Sequence, residues 1–376
     1  MDAPLRRAIT ATSSLSVRRT RLSKRTPLRL ISTTTSRDAT PVHHPNIPGP
    51  PPSAPQASVT YPQDRVARKR QQLEAFRQSQ QKPVDPAKPT SALQKRFWKN
   101  TSVQETGDGL QVHLDTRPVR TAQRQVLHLP QSKRSLAAGI ALEWDQLVSA
   151  QQALKQHYIP LTSLSSRAMD IKAADEKHGP DNEIRESIIR VLMKYLSTDT
   201  LLCWAPAKNI HDPDRPGVKP LRQRQRDIAE PIIAYLTTHV FPGIEINPIL
   251  DEASIIPASQ PEMTTSVIRG WIAGLPAFEL AALERGVLAT KSLLIAARLL
   301  VEWSTEYGHL RQAESARSDD GSIEIERERF DIERAFEAAN LEVLHQTEQW
   351  GEVEDTHDVD KEDVRAQLGS VILLVS

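Results

Sequence analysis

Four acids, Glu352, Glu354, Asp355 and Asp358, stand with His357 in "WGEVEDTHD", residues 350–358. Carboxylates and an imidazole at such close spacing could converge on a metal ion and activate water, which would make the chain a metal-dependent hydrolase. They could equally face a basic partner patch, where charge gains on-rate and specificity more than raw affinity. A solvated turn between two helices, with an ion pair to Arg334 or Arg365, is the plain structural alternative. The placement is unusual, because the carbonyl end of a helix carries about half a negative charge and repels acids. "DTHDVDKED", residues 355–363, lacks the central Gly and the correctly offset Glu of a calcium loop. Part of the cluster has a local explanation: Asp360 is predicted to cap the last helix, with Glu362 and Asp363 in its first turn, where N–H groups favour negative charge. Glu352, Glu354 and Asp355 have no such explanation, and their spacing leaves turn and contact both open.

Other chemistry is poorly supported. The chain contains no GxxxxGK[ST] loop, no GxGxxG after a strand, no HExxH and no GxSxG. His43 and His44 fall in a Pro-rich stretch that offers a metal no scaffold. Cys203, the single cysteine, rules out an internal disulfide and a cysteine-built zinc site, and is expected to be a small core residue. No metal and no cofactor are therefore expected.

The elements that must position these groups begin near Phe97. "GLQVHLDTRP" alternates Leu110, Val112 and Leu114 with polar neighbours, the period of a half-buried strand, and "GDG" before it suits a tight hairpin. "RQVLHLP" reads as a further strand. From Ser132 the period changes: Leu136, Ile140, Trp144 and Leu147 make one face of a helix with Ser132 as its cap, and Trp144 reads as core. After "GPDN", residues 179–182, the pattern is almost wholly helical, with Ile184, Ile188, Leu192 and Tyr195 on one stripe. "STDTLLCW" looks extended, and a polar, Pro-rich insertion runs from Pro206 to Pro220. Further helices are predicted at roughly 221–240, 261–274, 276–288, 290–307, 323–350 and 360–372. Gly243, Gly308 and Gly351 suit left-handed helix ends, and Pro276 a first helical position. The fold class is α+β: a small antiparallel β-sheet and helix over 93–179, followed by an all-α helical domain over 180–376.

Residues 1–37 carry nine Arg or Lys against one acid, Asp2, so the formal net charge of +1 hides a remainder of about −7. Rich in Arg, Ser and Thr and without a continuous apolar run, this stretch reads as a mitochondrial presequence, with "RLISTTTS" resembling a matrix-protease site and the mature chain beginning near Ser32. Residues 38–92 form a Pro-rich linker and polar segment. "RVARKRQQ", residues 65–72, could touch nucleic acid, but the acidic balance of the folded part argues against that partner. No window reaches the roughly eighteen apolar residues of a membrane span.

Eight blocks in register, "RFWKNTSV", "VHLDTRPVRT", "LAAGIALEWDQ", "IPLTSLSSRAMD", "YLSTDT", "LLCW", "TKSLLIAARL" and "QWGEVEDTHD", cover residues 96–376 and resemble the mitochondrial ATP synthase F(1) complex assembly factor 2 family. The resemblance implies a monomeric matrix chaperone without a reaction of its own. It would bind unassembled alpha subunit and keep its sticky oligomerisation surface from aggregating before beta arrives. Glu354 matches the family's C-terminal acidic position, with Glu352 and Asp355 as neighbours. Arg167 and Asp170, three apart on a helix and able to pair, and Asp199, able to cap or turn, are further partner-binding candidates. Two departures stand out: "RQRQRDIAEPIIAYL" replaces a Trp-Asp-Pro run, and the insertion from Pro206 to Pro220 is longer than expected.

Overall fold

The structure, a computed structural model, describes residues 70, 71, 74, 95–206, 219–250, 257–310, 329–353 and 356–376. The expected presequence, most of the linker, most of the Pro-rich insertion, and Glu354 and Asp355 lie outside the described residues.

Strands β1 (Thr101–Thr106) and β2 (Gly109–Leu114) pair antiparallel from Thr106↔Gly109 to Thr101↔Leu114, and β3 (Arg117–Pro118) adds to the other side of β2. Leu110, Val112 and Leu114 are buried, as their alternation requires. Asp115 turns the chain at φ +54, and its carboxylate accepts from the backbone N–H groups of Lys99 and Asn100, which hold it below the usual carboxylate range. "RQVLHLP" departs from expectation. Leu127 and Leu129 are buried, yet only isolated bridges, Arg120↔Val126 and Leu110↔Leu129, form. The reason is a bend at Arg124, φ +66, which lets the segment bury its apolar side without completing a ladder.

Helix α1 (Arg134–Gln146) lays Leu136, Ala137 and Ile140 onto the sheet. Lys133, not Ser132, occupies the cap position; it offers no capping side chain, because its amine turns inward to donate to the Ser376 carbonyl at 3.2 Å. Eight further α-helices follow among the described residues: α2 (Pro160–His178), α3 (Glu183–Leu196), α4 (Leu221–His239), α5 (Glu262–Gly274), α6 (Ala277–Thr290), α7 (Leu293–Trp303), α8 (Ile332–Trp350) and α9 (His357–Val375). The expected α+β class is the observed one. Helix α7 is buried from Leu293 to Val301 and packs on α6, where a Cβ added to Gly286 would sit 3.1 Å from that of Ala296. One hydrophobic cluster runs from Trp98 to Val375. Among the described residues no helix is long and apolar enough to cross a membrane.

Local chemistry moved several boundaries. The stretch 290–307 splits, because Ser292 caps α7 and Ser304 leaves it with extended backbone. Gly308 stays right-handed at φ −55, whereas Gly243 and Gly351 take φ +82 and +88. Pro276 precedes α6 instead of opening it. Helix α8 starts at Ile332, where the Asp331 carboxylate accepts from Arg334 N–H at 2.9 Å. Helix α9 starts at His357, so Asp358 and Asp360 lie in its first turn and Asp360 is not the cap; Glu362 and Asp363 lie beyond that turn. "STDTLLCW" is a turn from Ser197 followed by a single parallel bridge, Cys203↔Leu250. Cys203 is half-buried, and burial pushes its thiol up.

Candidate functional site

Helix α2 opens on Pro160 with no capping side chain of its own. Its orphan donors are met from α1 instead. The Glu143 carboxylate accepts from Leu161 N–H at 2.5 Å, Thr162 N–H at 3.0 Å and the Thr162 hydroxyl at 3.0 Å. Burial pushes this carboxyl up to about 7, against the pull of those three donors. The neighbouring Trp144 donates its indole N–H to Thr162 Oγ1 at 3.0 Å, and its ring meets that of Trp98 edge-on at 5.3 Å. Asp145 pairs with Arg96 at 3.1 Å. The "EWD" block is thus a junction among the segment before β1, α1 and α2. Trp144 is only half-buried: one edge joins the core and the other lines a cleft.

That cleft, about 640 Å³, lies between the turn at Arg120, the segment around Leu154, α2 and α6. Both Arg167 and Asp170 line it, but they do not pair as their spacing suggested. Arg167 instead donates from Nε and Nη2 to the two carboxylate oxygens of Glu284 on α6, each at 2.9 Å, because a planar fork meets a carboxylate better across the helix interface than along one helix. The Glu284 hydrogen bonds raise the Arg167 pKa further. Asp170 is pushed up by burial, with the Arg167 charge opposing. Arg285 and Leu288 from α6 complete that wall.

Asp199 faces the other way. Fully buried, it accepts from the N–H groups of Leu201 at 3.0 Å, Leu293 at 2.7 Å and Leu294 at 3.1 Å. It caps α7 jointly with Ser292, and burial pushes its carboxyl up to about 6. Its oxygens are committed to the backbone and none is on the surface.

At the C-terminal turn, exposed Glu352 accepts from Lys361 Nζ at 2.7 Å. Arg365 donates from Nε and Nη2 to the two Glu333 carboxylate oxygens, each at 2.8 Å, and its guanidinium lies over Phe336. His357 Nδ1 accepts from Val353 N–H at 3.1 Å, so this imidazole ties the turn. Trp350, Val353 and Val359 are exposed beside it. Among the described residues no three His, Cys, Asp or Glu side chains gather as metal ligands would.

Sequence reading missed Glu143, Glu284, Arg285, Leu154 and Leu288. Their roles come from contacts between distant segments, and only the block "LAAGIALEWDQ" pointed near one of them.

A small antiparallel sheet on a helical body, with a charged and apolar cleft beside it, defines an α+β fold. Residues 95–237 match the family model described as ATP12 chaperone protein. The mitochondrial protein atp12 of Schizosaccharomyces pombe is 30% identical over 280 residues, covering 74% of this chain and 81% of that protein. Protein ATP12, mitochondrial, of Saccharomyces cerevisiae is 29% identical over 297 residues, 74% of this chain and 82% of its own. The chain belongs to the ATP12 chaperone family. Its fold is similar to the crystal structure of Atp12 from Paracoccus denitrificans, with a TM-score of 0.50 and 22% identity over 74% of this chain and 96% of that one.

Proposed function

We propose that this chain is a mitochondrial matrix chaperone that binds the unassembled alpha subunit of the ATP synthase F(1) sector and prevents its aggregation until it pairs with beta. The observation that carries the reading is family membership through a relative named mitochondrial, aligned over 81% of that relative's length. Physical chemistry supports the role. Obligate subunit interfaces are large and apolar, and they aggregate while unpaired. A chaperone for such a surface needs exposed apolar groups beside charges, and here Leu154 and Leu288 lie beside Arg285, while Trp350 and Val353 flank Glu352. In this reading Glu354, with Glu352 and Asp355, is an acidic contact for the client, and Arg167 and Asp170 belong to a second face. The chain works as a monomer and without chemistry of its own.

Co-purification of the mature chain with alpha and with beta separately tests this. Capture of alpha but not beta is expected; capture of neither would remove the proposal. Glu354→Gln should weaken capture while leaving Tm nearly unchanged, and equal loss of both would make Glu354 a residue of the turn.

A further inference from the structure

We infer that the cleft between α2 and α6 seats a segment of the client that carries a carboxylate beside apolar side chains. The inference rests on the alpha-subunit reading and locates where that subunit docks.

The charge inventory of the cleft selects the ligand. Arg167 and Glu284 satisfy each other through two hydrogen bonds, so neither is the main attraction for a partner. Arg120, which also lines the cleft, spends one N–H on the Arg124 carbonyl at 2.8 Å and has no carboxylate partner among the described residues. Arg285 on α6 likewise forms no ion pair among the described residues. Asp170 is the one lining acid outside the Arg167–Glu284 pair. Burial pushes its carboxyl up, with the Arg167 charge opposing. Three lining guanidinium groups, Arg120, Arg167 and Arg285, stand against two carboxylates, Asp170 and Glu284, so the cleft is net positive even with Asp170 ionised, and Arg120 and Arg285 are the cations outside the Arg167–Glu284 pair. Guanidinium forks match carboxylates in geometry, which fits an acidic occupant better than a basic one.

The apolar part explains why a polypeptide fits. Leu154 is 74% exposed and Leu288 38% exposed, both at the rim, with the Trp144 indole and Ile159 also lining the cleft. The Leu154 turn is held in place, since Val148 N–H donates to Gln152 Oε1 at 2.7 Å. The Glu143 cap fixes the start of α2 against α1. A site preformed in this way loses little conformational freedom on binding. Its volume accommodates a few side chains, while the rim leucines extend the contact outward, as a protein segment would use and a small solute would not.

Binding of purified alpha subunit to the full mature chain, read by calorimetry or quantitative pull-down, provides the test. Arg120→Glu combined with Arg285→Glu should weaken alpha binding at least tenfold, and Leu154→Asp should do so independently, each with Tm held within a few degrees of wild type. Arg120→Lys with Arg285→Lys should restore part of the affinity. Wild-type affinity in both the double Glu variant and Leu154→Asp would overturn the cleft assignment while leaving the client intact. No binding by the wild-type chain would instead overturn the proposed function. If the Glu pair lowers Tm, Leu154→Asp alone decides, because a leucine so exposed contributes little to folding.

Discussion

Arg167 on α2 and Glu284 on α6 are joined by two hydrogen bonds of 2.9 Å, across 117 positions of sequence. The pair is part-exposed, so solvent screening limits its value, but its paired-fork geometry places it above a loose surface ion pair. Arg167→Ala or Glu284→Ala should cost about 1 kcal/mol, and a double-mutant cycle should show coupling of a few tenths to about 1 kcal/mol. Arg167→Lys should recover less than half, since a point charge cannot span both oxygens. Urea midpoints of the four chains measure this, and strict additivity would mean that the pair contributes nothing.

Two buried caps predict an unusual pH response. Asp199 is pushed up to about 6 and Glu143 up to about 7 by burial. Both pKa values lie above those of the unfolded chain, so the folded state binds the extra protons. Their contribution is fully present below pH 4 and is lost as pH rises through 6 and 7. Asp199→Asn should flatten the stability profile between about pH 4 and 6, and Glu143→Gln between about pH 4.5 and 7. Each also replaces one of two acceptor oxygens by an amide NH2, which cannot accept from a backbone N–H, costing about 1 to 3 kcal/mol at the helix start where that donor is left unpaired. Thermal melts across this range check both, and unchanged slopes in the variants would contradict the assignment.

The sequence carries the fold wherever one element's own pattern decides it. The alternation of Leu110, Val112 and Leu114 and the stripe of Ile188 and Leu192 gave β2 and α3, because burial on one face repeats with the element's period. The capping logic failed where a distant group intervened. Ser132 is a good cap by type, but Lys133 turns inward to the Ser376 carbonyl, 243 positions away. Arg185 lies on the buried face of α3 and donates to Asp175, Ala273 O and Leu275 O, a role no local period encodes. The candidate site divides in the same way. Arg167 and Asp170 line the cleft as a helical spacing allows, yet the Arg167 partner comes from α6 and Asp199 serves α7 from within the core.

Gly109 should be intolerant of any side chain. It takes φ +141, and a Cβ there would lie 2.2 Å from the Leu129 carbonyl oxygen, which accepts from Leu110 N–H at 2.8 Å. The obstacle is backbone, so it cannot rotate away. Gly109→Ala should cost about 2 kcal/mol or more through combined strain and clash. Gly107, whose Cβ would meet nothing within 4 Å, is the control and should tolerate Ala far better. Equal Tm values for the two variants would show that the Leu110–Leu129 bridge is dispensable.

Trp144 combines two contributions that different substitutions separate. Trp144→Phe keeps most of the ring contact with Trp98 but removes the N–H donated to Thr162 Oγ1, and should cost about 1 kcal/mol, the usual worth of one hydrogen bond. Trp144→Ala also empties the ring's volume. A fully buried Trp would cost about 3 to 5 kcal/mol on truncation, and the half-exposed position of Trp144 puts it at the lower end. Because the same ring lines the cleft, alpha binding should fall for Trp144→Ala at temperatures where the variant is still folded. Circular dichroism melts paired with binding at 10 °C separate the two effects. Full binding by folded Trp144→Ala would confine this residue to holding α1 against α2.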